Sequence, residues 1–438
     1  MKRMFLAAVL LMALLLSGCQ MRTVDQMYAV PRRSAEYEEL QKAIDSVIAD
    51  LSYCAPLSGE NRQSVQMADL NGDGEEEYLL FAKGNSDDPL KIFIFMKNGA
   101  RYDLMQTIES RGSGFEQVEY VDIDGTAGKE LVVGRQVSDQ VLRYLTVYSF
   151  RGTKAERLLA VNYVRFVVSD LNEDDRSDLV IISTGESEAE SGSAALYHFE
   201  NDAMVRSREA MLSAKSENIK RIMVSRLHGG RSAVYVASSM DESAIITDVF
   251  SMCEGRFTNV SLSNESGTSV QTLRNHYIYA DDIDSDGTLE LPDLMEMRQV
   301  QNNTRSSEQH LIRWYAMTEQ GNEVDKMHTF HNFDGGWYLT LDEGWASRIS
   351  VTQQGNVCTF YVWDESFEKA EKLLSVYTMT GSDRELEAEE NNRAILYKTE
   401  GVVYAAKLEV AALSYGLSEE NLAGSFHLIQ MDWKNGET

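Results

Sequence analysis

The chain has 438 residues, and its 69 acidic against 41 basic side chains give a formal net charge of −28, which argues against nucleic acid or an anionic membrane surface as main partner. An apolar fraction of 43% and an aromatic fraction of 9% are ordinary for a globular chain and leave room for a sizeable core. By length the chain holds two or three domains.

The first segment reads Met1-Lys2-Arg3, then an almost unbroken apolar run from Met4 to Leu16, then Ser17-Gly18-Cys19. A basic end, a short apolar stretch and small residues before a cut site form a signal peptide. The run is too short to span a bilayer, which takes about 20 apolar residues, and no later stretch is long and apolar enough. Leu16-Ser17-Gly18-Cys19 resembles the lipobox of bacterial lipoproteins. The resemblance implies a diacylglycerol on the Cys19 thiol, hence export and a lipid anchor at the outer face of the bacterial cell membrane; two or three acyl chains suffice for stable anchoring. The alternative is an ordinary secretory signal with a cysteine nearby by chance. Cys54, Cys253 and Cys358 are widely spaced without any CxxC pair and read as buried small apolar residues, with one disulfide left open.

Residues 20–60 form a tether and a helix. From Ser34 to Leu51 the apolar positions Leu40, Ala43, Ile44, Val47, Ile48 and Leu51 recur at three- and four-residue spacing, which gives a helix one apolar face.

From residue 61 to 335 one pattern recurs: a short apolar strand, an acidic loop, a second apolar strand. The loops begin at Asp69, Asp122, Asp170 and Asp282, with a decayed copy at Ser225–Ala233 that has lost its acids. Strands are readable at 64–68, 78–83, 90–96 and 102–109, and again at 117–121, 131–135, 143–150 and 155–161. A period of about 50 residues with four strands per unit predicts a mainly β chain, a β-propeller of about five to seven four-stranded blades. A β-solenoid or sandwich with acidic turns is the alternative.

Hard cations such as Ca²⁺ take about six to eight oxygen ligands. Loop positions 1, 3, 5 and 9 supply Asp69, Asn71, Asp73 and Glu77 in the first copy, Asp170, Asn172, Asp174 and Asp178 in the third, and Asp282, Asp284, Asp286 and Glu290 in the fifth. The second copy keeps Asp122, Asp124 and Glu130 but has Thr126 at position 5, so it reads as a weaker site. An EF-hand needs Glu at position 12 between helices, where Leu80 and Ile181 stand in apolar strands. Asp293 at that position in the fifth copy does not rescue that reading. Acidic hairpin turns without metal remain the alternative.

The run Asp69-Leu70-Asn71-Gly72-Asp73-Gly74-Glu75-Glu76-Glu77, followed by an apolar strand, resembles the FG-GAP or VCBS repeats of integrin-like β-propellers. The likeness covers about Val65 to Gln299 and implies structural Ca²⁺ in these hairpins; Asp175 stands where glycine is usual. Residues 336–438 change composition and read as a small α+β domain, with strands at 337–339, 349–351, 358–363, 373–378, 394–398 and 402–408, and a helix from Ser418 to Leu428 capped by Ser418. That part resembles a domain of uncharacterised clostridial lipoproteins.

No nucleophile with its base, Gly-x-Ser-x-Gly or phosphate loop is present, and His328 and His331 form an incidental His-x-x-His pair. The expectation is therefore a non-enzymatic binding or scaffolding module for an envelope protein or glycan. An envelope enzyme acting on polysaccharide, with structural calcium, is the alternative.

Overall fold

A computed structural model describes residues 35–137, 143–185, 190–300 and 309–429. The signal peptide, Cys19 and the tether to residue 34 lie outside the described residues. The chain divides into two compact units, one comprising the residues to Ala55, Gln63–Asp69 and Gly74–Arg111, the other Pro56–Arg62, Leu70–Asp73 and Gly112 onward.

In the first unit the helix Ala35–Ile48 lays Leu40 and Ile44 against Leu80, Ala82, Phe93, Phe95 and Tyr102. Three- and four-residue spacing puts those helix residues on one face, as the sequence predicts. The sheet beneath contains Ser52–Tyr53, Val65–Ala68, Glu77–Lys83, Leu90–Asn98 and Arg101–Ser110, all antiparallel.

The second unit holds five more antiparallel sheets, each built mostly from consecutive strands. The second sheet is Gly114–Val121, Glu130–Gln136, Arg143–Arg151 and Lys154–Tyr163; the third is Arg165–Ser169, Asp178–Ser183, Ser193–Glu200 and Ala203–Arg206, with Ala210–Met211 added. Ile219–Arg226, Ser232–Ser239, Ile245–Cys253 and Arg256–Asn259 make the fourth. Leu291–Met295, Gln309–Met317, Glu323–Asn332, Trp337–Leu341 and Phe426–Leu428 make the fifth, and 349–354, 357–363, 370–380, 394–398 and 402–408 the sixth.

Neighbouring sheets in this unit pack face to face. Side chains alternate along a strand, so Leu179 and Ile181 join Val132 and Val147 of the second sheet, while Val180 and Ile182 join Val234, Val236 and Phe250 of the fourth. Tyr235 and Val249 meet Leu291 and Tyr315 of the fifth, whose Phe330, Trp337 and Leu339 meet Phe360 and Val376 of the sixth. Covering both faces explains why inner strands such as Leu179–Ile182 are apolar at every residue rather than at alternate ones. Consecutive antiparallel meanders, each a blade stacked on the next, define the β-propeller class.

The composition shift at residue 336 falls inside the fifth sheet, since Trp337–Leu341 pairs with Glu323–Asn332. The helix expected from Ser418 to Leu428 is shorter: it spans Glu419–Gly424, closed by a capping box between Ser418 and Asn421. Phe426–Leu428 is instead a strand on Trp337–Leu339, because Phe426 stacks on Trp337 with ring centroids 5.7 Å apart. Cys54, Cys253 and Cys358 are free thiols; only Cys358 is buried, so the expectation of burial is corrected for the other two. Among the described residues no helix is long and apolar enough to cross a membrane.

Candidate metal loops

Each loop is pinned from below and clasped from above. At position 2, Leu70, Ile123 and Leu171 are buried, and the decayed fourth loop keeps a buried Leu227 one position later. At position 9, Glu77, Glu130, Asp178 and Glu290 are at most 1% exposed, which puts an acid where burial must be compensated. The compensation is visible in three loops. Ile123 and Asp124 N–H donate to Glu130 Oε2 (2.7 and 3.2 Å), Leu171 and Asn172 N–H to Asp178 Oδ2 (3.0 and 3.2 Å), and Ile283 N–H to Glu290 Oε2 (3.2 Å).

The position-1 carboxylate gathers the turn from the other side. Asp174 and Asp175 N–H donate to Asp170 (3.1 and 3.0 Å), Asp286 and Gly287 N–H to Asp282 (2.8 and 3.0 Å), and Gly125 N–H to Asp122 (2.8 Å). Positions 3 and 5 repeat the device in the fifth loop, where Asp284 accepts from Asp286 N–H and Asp286 from Thr288 N–H. At position 6 the backbone is left-handed, with φ +87° at Gly74, +84° at Gly287 and +65° at Asp175, so the third loop keeps the turn without the glycine.

The first loop falls across the division of the two units. Asp69 and Glu77 belong to the first unit, where Gly74 N–H donates to Asp69 Oδ2 (2.9 Å); Asn71 and Asp73 belong to the second, where Asp73 N–H donates to Asn71 Oδ1 (2.8 Å). In the second unit the oxygens of Asp122, Asp124 and Glu130 lie within 4.8 Å of one another, as do those of Asp282, Asp284 and Glu290. These two clusters have the all-oxygen chemistry that a hard cation requires. The buried Glu290 Oε1 accepts no hydrogen bond, an orphaned oxygen of the kind a cation satisfies. Burial pushes the Asp178 carboxyl up to about 6; burial first and Asp284 second push Glu290 up to about 7. Burial raises Glu130 as well.

Basic side chains that are no part of the acidic repeat also reach these loops. Arg176 pairs with Asp174 (2.5 Å), and Arg231 of the fourth loop bridges Glu173 (3.3 Å) and Glu319 (2.8 Å). Lys326 contacts Asp286, Asp284 (3.5 Å) and Glu290 (3.8 Å). Adjacent loops touch: Ser177 N–H donates to Asp122 O (2.6 Å), and Ser225 Oγ to Gly287 O (3.3 Å). A cavity of about 440 Å³ bordered by Asp170, Glu173, Asp175 and Arg226 lies beside the third loop. A larger cleft of about 720 Å³ is lined by Arg206, Arg208, Glu209, Glu254, Arg256 and Asn259 of the third and fourth sheets and their turns. His328 and His331 are three apart on one strand and so point to opposite faces. His331 instead meets Phe333 (5.6 Å) beside His276 and His310, whose rings are 4.2 Å apart, a grouping from three distant segments that no local pattern announces.

No protein-family model matches the chain, and no curated protein does. Among solved structures it is similar to rhamnogalacturonan lyase YesW, at 13% identity and a TM-score of 0.31, over 70% of this chain and 63% of that one. It is also similar to a Bacillus licheniformis rhamnogalacturonan lyase (13%, 0.29, 74% and 72%) and to the β-propeller domain of the Trilobed protease from Pyrococcus furiosus (13%, 0.27, 72% and 89%). The chain thus spans under two thirds of the first of these, and scores this low assign no activity. The expectation of a non-enzyme is corrected: the structures it is similar to include lyases, and since a propeller can build a site from distant loops, the missing local motif does not exclude an activity.

Proposed function

We propose that the chain is an exported lipoprotein, anchored through Cys19 at the outer face of the bacterial cell membrane, whose FG-GAP/VCBS-like blades carry structural Ca²⁺ in acidic loops such as the third and hold an envelope glycan or protein. The observation that carries the binding reading is the cleft of about 720 Å³, which alternates guanidinium and carboxylate groups with Met211, Met252 and Phe257. Such a surface offers hydrogen bonds to hydroxyls and apolar contact to sugar or side-chain faces. Residues Asp170, Asn172, Asp174 and Asp178 would hold the ion in the third loop, and the ion would offset the burial that raises the Asp178 carboxyl.

A second reading, action on polysaccharide, is favoured by the acid and base groups on the same cleft, Glu209, Glu254, Glu319 and His198. Incubating the purified chain with cell-wall glycans decides between the two. Retention of glycan, reduced by Arg208→Ala, upholds binding; soluble released fragments establish turnover; neither outcome on any wall glycan or envelope protein refutes both. A Cys19→Ser chain is expected in the medium or unprocessed, and a mature form retained normally on membranes would remove the anchor.

A further inference from the structure

We propose that the Lys326 ammonium is the resident cation of the fifth acidic loop, so that this loop is filled from within the chain and takes a divalent ion only when Lys326 is removed. The inference rests on reading the loop as an oxygen shell for a cation, and it says which cation.

Lys326 sits on the strand Glu323–Asn332 at a register shift: Trp314 pairs with Met327 and Tyr315 with Asp325, leaving Lys326 as the extra residue of a β-bulge. A bulge re-aims its side chain. The same shift recurs in the third strand after the first and second loops, where the skipped residues are Met105 and Leu158. Leu158 packs into the apolar core of its sheet. The fifth sheet alone among these three places a basic residue at the bulge, and that residue is turned onto the loop.

What it meets is a shell that no other basic side chain is seen to enter among the described residues. Its Nζ contacts Asp286 and lies 3.5 Å from Asp284 Oδ2 and 3.8 Å from Glu290 Oε1, with the side chain only 16% exposed. Glu290 Oε1 is buried and accepts no hydrogen bond, so the ammonium charge is the compensation this oxygen has. The ammonium donates a hydrogen bond to Asp286 at position 5, and its charge lies within ion-pair distance of the carboxylates at positions 3 and 9. A divalent ion entering the same shell would have to expel Lys326 while that side chain remains tethered beside it, a competitor at high effective concentration.

Equilibrium dialysis of the purified full chain against Ca²⁺ tests this. Lys326→Met is expected to bind about one ion more per chain than wild type. Asp284→Asn in the otherwise wild-type chain should leave the count unchanged, and in the Lys326→Met background should remove the gained ion. Loss of an ion on Asp284→Asn alone, or no gain in a folded Lys326→Met chain, overturns the proposal. Should Lys326→Met fail to fold, the Asp284→Asn count decides. A wild-type chain that binds no Ca²⁺, beside a Lys326→Met chain that binds, would instead refute calcium in the other loops and leave Lys326 in its role.

Discussion

Replacing Asp178 separates the two tasks that a position-9 acid combines. Its Oδ2 accepts from the Leu171 and Asn172 N–H groups at 3.0 and 3.2 Å in a site closed to solvent. Asp178→Ala orphans both donors, and each unsatisfied buried donor costs about 1–3 kcal/mol, so the ion-free protein should lose about 3 kcal/mol. Asp178→Asn keeps a carbonyl oxygen at that point and should stay within about 1 kcal/mol of wild type in EDTA. With Ca²⁺ at a hundred times its dissociation constant, wild type gains about 2.7 kcal/mol that neither variant shows. Urea unfolding followed by tryptophan fluorescence, in EDTA and in Ca²⁺, measures all six values. If Asp178→Ala unfolds with wild type in EDTA the clasp has no structural weight; if Asp178→Asn keeps the full calcium increment, Asp178 is not a ligand.

Burial, helped by His310, lowers the His331 pKa from 6.5 to about 3, so the folded protein keeps this ring neutral where the unfolded chain protonates it. Its contribution is complete above pH 6.5 and is lost as pH falls toward 3, by about 1.4 kcal/mol per pH unit. A His331→Phe chain should lack that slope between pH 6 and 4, and parallel stability curves for the two proteins would refute the assignment. Asp175 holds φ +65° in the third loop, so Asp175→Gly should raise the urea midpoint by the equivalent of about 1 kcal/mol, and a lowered midpoint would show that its side chain matters more than its backbone. A Cβ at Gly128 would lie 2.3 Å from the Leu70 carbonyl oxygen, so Gly128→Ala should lower stability by about 1–3 kcal/mol, measured the same way; an unchanged midpoint would mean that this approach relaxes freely.

The acidic loops were legible because they repeat, and repetition is independent of any contact. The helix Ala35–Ile48 was legible because an amphipathic face is written in local spacing. What local order could not disclose is what meets across the chain. Lys326 stands 36 residues past Glu290, and only a bulge aims it there. The second loop looked weaker for want of an acid at position 5, yet Asp122, Asp124 and Glu130 converge because backbone N–H groups set the clasp. Phe426 to Ile429 looked like the end of a helix since a short apolar run carries no period of its own; its partner, Trp337, lies 89 residues earlier.

The fifth sheet is finished by a strand made long after its neighbours. Its first four strands emerge from the ribosome well before Phe426–Leu428, and the whole sixth sheet is synthesised in between. Until then the edge of Trp337–Leu341 presents unpaired amide groups, the kind of surface on which nascent chains pair with the wrong neighbour. Removing Phe426–Leu428 should therefore harm yield far more than the three residues' own area suggests.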